Sequence, residues 1–229
     1  MELKKGNRTD LSASKFKVGL GWDPSVRDNE EFDLDVSAFI LGKNGKVLFD
    51  ETSNGEKFIV YYNSEDRMLQ SDLNINNYRL EPYDSLKYPN REDDYRVKTR
   101  PVSPNFEVIG SIDDKDGRSS EGDDDEDMFI DLARIHSDAT EIIILVSIYE
   151  AVERRQNFGQ VRNAYIRAVD NLTNIELFKY ELDEDFSSET AVEFGRIYKR
   201  GDSWRFEALG NGSSNGFEEF VRKYSSFLN

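Results

Sequence analysis

Phe16-Lys-Val-Gly-Leu-Gly-Trp22 and, twelve residues on, Leu34-Asp-Val-Ser-Ala-Phe-Ile40 are the stretches that decide the fold. In the first, Phe16, Val18, Leu20 and Trp22 alternate with Lys17, Gly19 and Gly21; in the second, Leu34, Val36, Ala38 and Ile40 alternate with Asp35, Ser37 and Phe39. A period of two is the pattern of a strand with one face on a core. Asp33, Asp35 and Ser37 must then share the opposite face or lie at the strand's mouth, which aims two carboxylates together.

The same reading extends in both directions. Gly42-Lys-Asn-Gly45 supplies a turn before Val47-Leu-Phe49, and Phe58-Ile-Val-Tyr-Tyr-Asn63 reads as a further β-branched and aromatic strand. Strands are also expected at Met128–Leu132, Ile142–Tyr149, Ala164–Val169, Ile175–Leu182, Ala191–Lys199 and Trp204–Leu209, separated by turns rich in Asx and Gly. This spacing predicts an all-β, two-sheet sandwich. Phe217, Phe220, Val221, Tyr224 and Leu228 switch to i, i+3, i+4 spacing after Ser214 and Asn215, which predicts a short C-terminal helix docked on it. Residues 1–229 are read as one domain, interrupted at about 66–102 by an irregular insertion. That stretch holds three of the five prolines, seven acidic and seven basic residues, and Tyr78, Tyr83, Tyr88 and Tyr95. It is too aromatic for a simple linker and suits a loop packed on the body or a partner surface.

Composition narrows the chemistry. A formal net charge of −16 repels polyphosphate and argues against nucleic acid, while it favours cations and basic partners. The N-terminus has no apolar stretch behind Lys4 and Lys5, so it reads as a cytosolic start. The longest aliphatic run, Ile142–Val146, is the length of a buried strand and not of a membrane span. The absence of Cys excludes disulfides and thiolate zinc sites, and a single His (His136) argues against Ser-His-acid triads and multi-His metal sites. Any metal must be held by oxygen.

Oxygen is abundant between Asp113 and Asp127, where nine of fifteen positions are acidic. Such a run is commonly a solvated loop. Here Gly117 and Gly122 let the backbone curl and offer carbonyls, and a strand follows at once, so a folded loop could hold the carboxylates. Ca²⁺, which takes six to eight oxygens in irregular geometry, suits this supply. An EF-hand fails: with Gly117 at loop position six, Ile112 stands at position one and Asp123 at position twelve.

Gly19-Leu-Gly-Trp-Asp23, Phe32-Asp-Leu-Asp-Val-Ser37, Arg155-Gln-Asn-Phe-Gly-Gln-Val161 with Ala164-Tyr-Ile-Arg167, Glu189-Thr-Ala191, Phe194-Gly195 and Trp204-Arg-Phe206 occur in an order that resembles the TerD-type tellurium resistance and stress-response family. The resemblance covers about residues 1–63 and 103–229. It implies a β-sandwich binding Ca²⁺, as two ions, at an acidic end. By position it carries the metal ligands onto Asp33 and Asp35, onto Asn63 at the end of the next aromatic strand, onto Asp113 and Asp114, and onto Asp123, Asp124, Asp125 and Glu126; Asp23 joins the candidate set. Ile112 stands where the family has Gly and Asp114 where it has Asn, so one ligand is charged instead of neutral.

The resemblance implies a non-enzymatic, cytoplasmic module of a tellurite and toxic-stress system, working with other stress-resistance proteins and a membrane-embedded partner at the inner membrane face. Two alternatives stay open. One is a hydrolase using paired carboxylates or a divalent ion, which no sequence feature selects. The other is a scaffold whose 66–102 insertion binds a partner while Ca²⁺ is structural. Trp22 and Trp204 read as packing residues, His136 as incidental, and Arg154, Arg155 and Arg167 as ion-pair partners of carboxylates before oxyanion ligands.

Overall fold

The alternation around Trp22 and Ile40 becomes two facing sheets. The computed structural model describes residues 1–23, 32–49, 55–112, 124–182 and 186–225. Within them the chain runs through β1 (Glu2–Leu3), β2 (Arg8–Asp10), β3 (Lys15–Asp23), β4 (Leu34–Leu41), β5 (Ile59–Val60), β6 (Arg67–Leu69), helical turn α1 (Gln70–Leu73), β7 (Thr99–Pro101), β8 (Val108–Ile109) and β9 (Glu126–Asp131). It continues through β10 (Glu141–Ile148), α2 (Ala151–Arg154), β11 (Arg162–Asp170), β12 (Glu176–Glu181), β13 (Ala191–Arg200), β14 (Ser203–Ser213) and α3 (Gly216–Tyr224). One sheet has the order β1-β12-β11-β3-β9-β8, the other β2-β14-β13-β10-β4-β5.

The inward residues of both sheets form one core. Phe16, Val18 and Leu20 of β3 face Val36, Ala38 and Ile40 of β4 within it, all under 5% exposed. Phe178 of β12 stacks on Phe206 of β14 across the sheets at 4.0 Å. Each such buried aliphatic or aromatic side chain contributes roughly 1.5–3 kcal/mol, which makes this shared layer the main source of stability.

The run Ile142–Val146 is buried on both faces because α3 covers the outer side of its sheet. Phe39, which points outward from β4, meets Phe217 at 5.7 Å and Tyr224 at 5.5 Å. Tyr224 Oη and Lys223 Nζ each donate to Glu193 Oε1 at 2.5 Å, and Glu193 is 1% exposed. The expected C-terminal helix is therefore present and docked, while Leu228 lies outside the described residues.

Two expected strands are shorter than the pattern suggested. Only Ile59 and Val60 of the Phe58–Asn63 stretch pair with β4, because Ser64 Oγ donates to Ile59 O and accepts from Tyr61 N, closing a turn that lifts Tyr61, Tyr62 and Asn63 off the sheet. Val47 makes a single bridge to Leu41. The 66–102 segment is folded onto the body: β6 and β7 pair at its ends, Arg67 is 2% exposed with Nε and Nη2 on Thr99, and Tyr95 is fully buried. Tyr78 is fastened by Lys15 Nζ at 2.6 Å and stacks on Phe106. No helix among the described residues is long and apolar enough to cross a membrane.

Candidate functional site

The site grows from the start of β4. Because Leu34, Val36 and Ala38 point into the core, Asp35 and Ser37 point to the outer side of their sheet. There they form, with Ser147 and Thr190, the floor of a groove of about 870 Å³. Ser147 stands directly opposite Asp35 in the β4–β10 ladder. The walls are aromatic: Tyr61 stacks on Phe217 at 5.2 Å, and Tyr62 sits edge-on to Tyr61 and to Tyr149 at 5.7 Å each. The turn that lifts Tyr61–Asn63 from the sheet is what opens this groove.

Asp33 and Asp35 are 5% and 4% exposed. Two carboxylates this deep, two residues apart on one strand, cost several kcal/mol unless charge compensates them. Arg154 Nη2 lies 3.9 Å from Asp33 Oδ2, with its guanidinium 5.4 Å from the centre of the Tyr149 ring. The electrostatics reach the phenols. Burial, then the charge of Asp35, push the Tyr62 hydroxyl up to about 12, and a hydrogen bond with Glu150 raises that of Tyr149. Both phenols remain protonated at neutral pH.

The other expected ligands divide by face. At the start of β9, Glu126 faces inward opposite Leu20 and its Oε2 accepts from Val36 N at 2.8 Å, which ties β9 to the same end of β4. Asp125 Oδ2 accepts from Trp22 N at 2.9 Å. Asp124 turns to the outer face of the other sheet, over Gly19, where its carboxylate meets Lys17 Nζ at 2.8 Å and Arg167 Nε at 2.7 Å. Asp23 ends β3 on the exposed side and accepts from Asn163 Nδ2 at 2.5 Å. Asn63 lines the same groove as Asp35, and its Oδ1 accepts from Arg96. Asp113, Asp114 and Asp123 lie outside the described residues.

Asp33, Asp35, Asn63, Asp125 and Glu126 thus belong to one end of the sandwich, whereas Asp124 is committed to a cationic pair on an outer face. Among the described residues no three Asp, Glu or His side chains converge closely enough to hold a metal ion by themselves. The donor chemistry nevertheless suits a hard cation: carboxylate and amide oxygens, no thiolate in the chain, and His136 packed on Phe58. Sequence reasoning missed Tyr149 and Thr190 as members of this surface, and Arg96 as the partner of Asn63. Ser37 shares the face of Asp35, as the alternation of β4 predicts.

Comparison with known proteins bears on this arrangement. The TerD domain family model matches residues 1–74 and 100–224, leaving 75–99 between the two matched stretches. The tellurium resistance protein TerD of Serratia marcescens is 34% identical over 98% of this chain and 96% of its own. General stress protein 16U of Bacillus subtilis (strain 168) is 32% identical over 98% of this chain and 96% of its own. The crystal structure of a homologue of telluride resistance protein (TerD) from Streptomyces coelicolor A3(2) superposes with a TM-score of 0.60 at 16% identity, covering 92% of this chain and 96% of that one. The last of these is a likeness of fold.

Proposed function

The chain belongs to the TerD domain family of tellurium-resistance and stress-response proteins, and from that premise we propose that it is a non-enzymatic Ca²⁺-binding module of such a resistance system. The observation that carries this reading is the pair Asp33 and Asp35, buried at one strand end, with Asn63 in the groove of Asp35 and with Asp125 and Glu126 at the same end of the sandwich. Asp33, Asp35 and Asn63 would hold the ion together with donors of the acidic 113–127 segment. Arg154 and the backbone donors Trp22 N and Val36 N hold some of these carboxylates in place beforehand.

A bound Ca²⁺ supplies two positive charges and six to eight coordination positions. The residues do the rest. Mutual repulsion among the carboxylates opposes the folding of this end, and an ion that relieves it stabilises the start of β4 and the start of β9. The groove walled by Tyr61, Tyr62, Tyr149 and Phe217 borders that end, so its shape responds to occupancy and can present or withhold a surface to another protein of the system, one embedded in a membrane included.

Calorimetric titration of chelator-stripped protein with Ca²⁺, with Mg²⁺ as control, tests the reading. Saturable, Ca²⁺-selective binding is expected, weakened at least tenfold in Asp33→Asn and Asp35→Asn. Absence of binding at millimolar Ca²⁺ overturns it. A graded loss across several single substitutions is the mark of a binding site; abolition of a measurable hydrolytic activity by one of them would favour catalysis instead.

A further inference from the structure

The segment that the family model skips does not merely decorate the sandwich. It delivers a guanidinium to two residues of the groove wall, Asn63 and Tyr62. Arg96 donates to Asn63 Oδ1, lies 5.9 Å from the centre of the Tyr62 ring, and pairs with Glu92 Oε2 at 3.2 Å. Its side chain is only 12% exposed.

This placement is built, not incidental to a loose loop. The helical turn Arg91–Tyr95 just before it is capped by Asn90, whose Oδ1 accepts from Glu92 N and Asp93 N. Tyr95 is fully buried and its Oη donates to Glu81 O at 2.5 Å. Thr99 Oγ1 donates to Tyr95 O at 2.8 Å, and buried Arg67 binds both the hydroxyl and the carbonyl of Thr99. Arg67 Nη1 also donates to Tyr62 O at 2.8 Å, so the base of the insertion and the groove's Tyr61–Asn63 turn are fastened to the same side chain.

We propose that Arg96 is an internal cation that competes with a divalent ion for the Asn63 side of the groove, so that the inserted segment sets the cation affinity of the site. The proposal rests on the Ca²⁺ reading above and deepens it. A guanidinium cannot be deprotonated in a protein, so its charge is relieved only by moving away. An ion taking the Asn63 oxygen competes with that hydrogen bond for the oxygen's electron density and approaches a fixed positive charge. By linkage the effect is mutual: docking of Arg96 weakens the ion, and the ion loosens residues around Arg96 by the same factor.

The full chain, stripped of metal, is titrated with Ca²⁺ as wild type, Arg96→Gln, Arg96→Ala and, as control, Lys98→Ala on the same segment. Amide hydrogen exchange of residues 91–99 is followed with and without Ca²⁺. Both Arg96 variants are expected to bind about tenfold more tightly, the equivalent of one lost hydrogen bond with a charged donor, with Lys98→Ala within about twofold of wild type. In the wild type, Ca²⁺ should speed exchange at 95–97. Equal or weaker affinity in the Arg96 variants while wild type binds overturns this proposal and leaves the Ca²⁺ reading standing. No binding by any of the four proteins overturns the Ca²⁺ reading, and this inference with it.

Discussion

A Cβ built on Gly19 would lie 2.3 Å from the carboxylate of Asp124. The glycine in β3 is thus the seat of a buried acid, which Lys17 and Arg167 grip from either side. Tyr165 lies over Gly21 in the same manner, a built Cβ being 2.5 Å from its ring. Burial and the Asp124 charge raise the Tyr165 phenol above its ordinary value.

Gly19→Ala should expel Asp124 from its seat and leave a cationic pair without its counter-charge. Breaking a buried ion pair by removing one partner costs about 3–5 kcal/mol, and partial relaxation at this sheet surface should bring the loss to about 2–4 kcal/mol. Urea denaturation would read it as a lower midpoint at unchanged m-value. An unchanged midpoint would show that the seat is not needed.

Glu193 holds the C-terminal helix. It is 1% exposed and accepts from Tyr224 Oη, Lys223 Nζ and Asn211 Nδ2. Glu193→Ala strands these donors and should cost about 2–4 kcal/mol. Loss of protection in the amides of Gly216–Tyr224 by hydrogen exchange would locate the damage at α3.

Acid should weaken the β2–β14 edge through Glu207. Burial alone would raise its carboxyl, but hydrogen bonds from Arg8 and Arg196 outweigh that and hold it below the ordinary glutamate value. A group depressed in the folded state contributes stability that is fully present above its unfolded pKa and is lost as pH falls through its folded pKa. The window therefore opens at the ordinary glutamate value, about 4.3, and extends downward. Between pH 6 and pH 3 the wild type should lose more stability than Glu207→Gln, as read by denaturation midpoints across that range.

Metal removal should lower thermal stability if the acidic end binds Ca²⁺. At a hundredfold excess over the dissociation constant, a ligand bound only by the native state adds about 2.7 kcal/mol, a rise of about 5–11 °C in Tm for a chain of this size. Scanning calorimetry with chelator and with added Ca²⁺ checks this, and Asp33→Asn with Asp35→Asn should erase the difference.

Much of this was legible before any coordinates. Alternation located β3, β4, β9 and β11 to β14 to within a few residues, an aliphatic run located β10, which is buried on both faces, and i, i+3, i+4 spacing located α3. The Phe58–Asn63 stretch misled, since β-branched and aromatic residues suit a groove wall as well as a strand, and one serine hydroxyl made the difference. Asp123 to Glu126 read as a single block; where the chain is described, Asp124 and Glu126 point to different faces although they stand two residues apart, because β9 begins only at Glu126 and Asp124 lies outside its alternation.

The sequence by itself determined that the chain makes a β-sandwich, that its only abundant ligand chemistry is oxygen, and that a segment near 66–102 interrupts the pattern. These are local or compositional properties, carried by periodicity and residue type. Only the tertiary structure decided that Asp35 and Asn63 share a groove, that Asp124 serves a cation pair, and that Arg96, thirty-three residues from Asn63, reaches it. Contacts between distant residues depend on which strands pair and which way each side chain turns, and no periodicity within one segment encodes that.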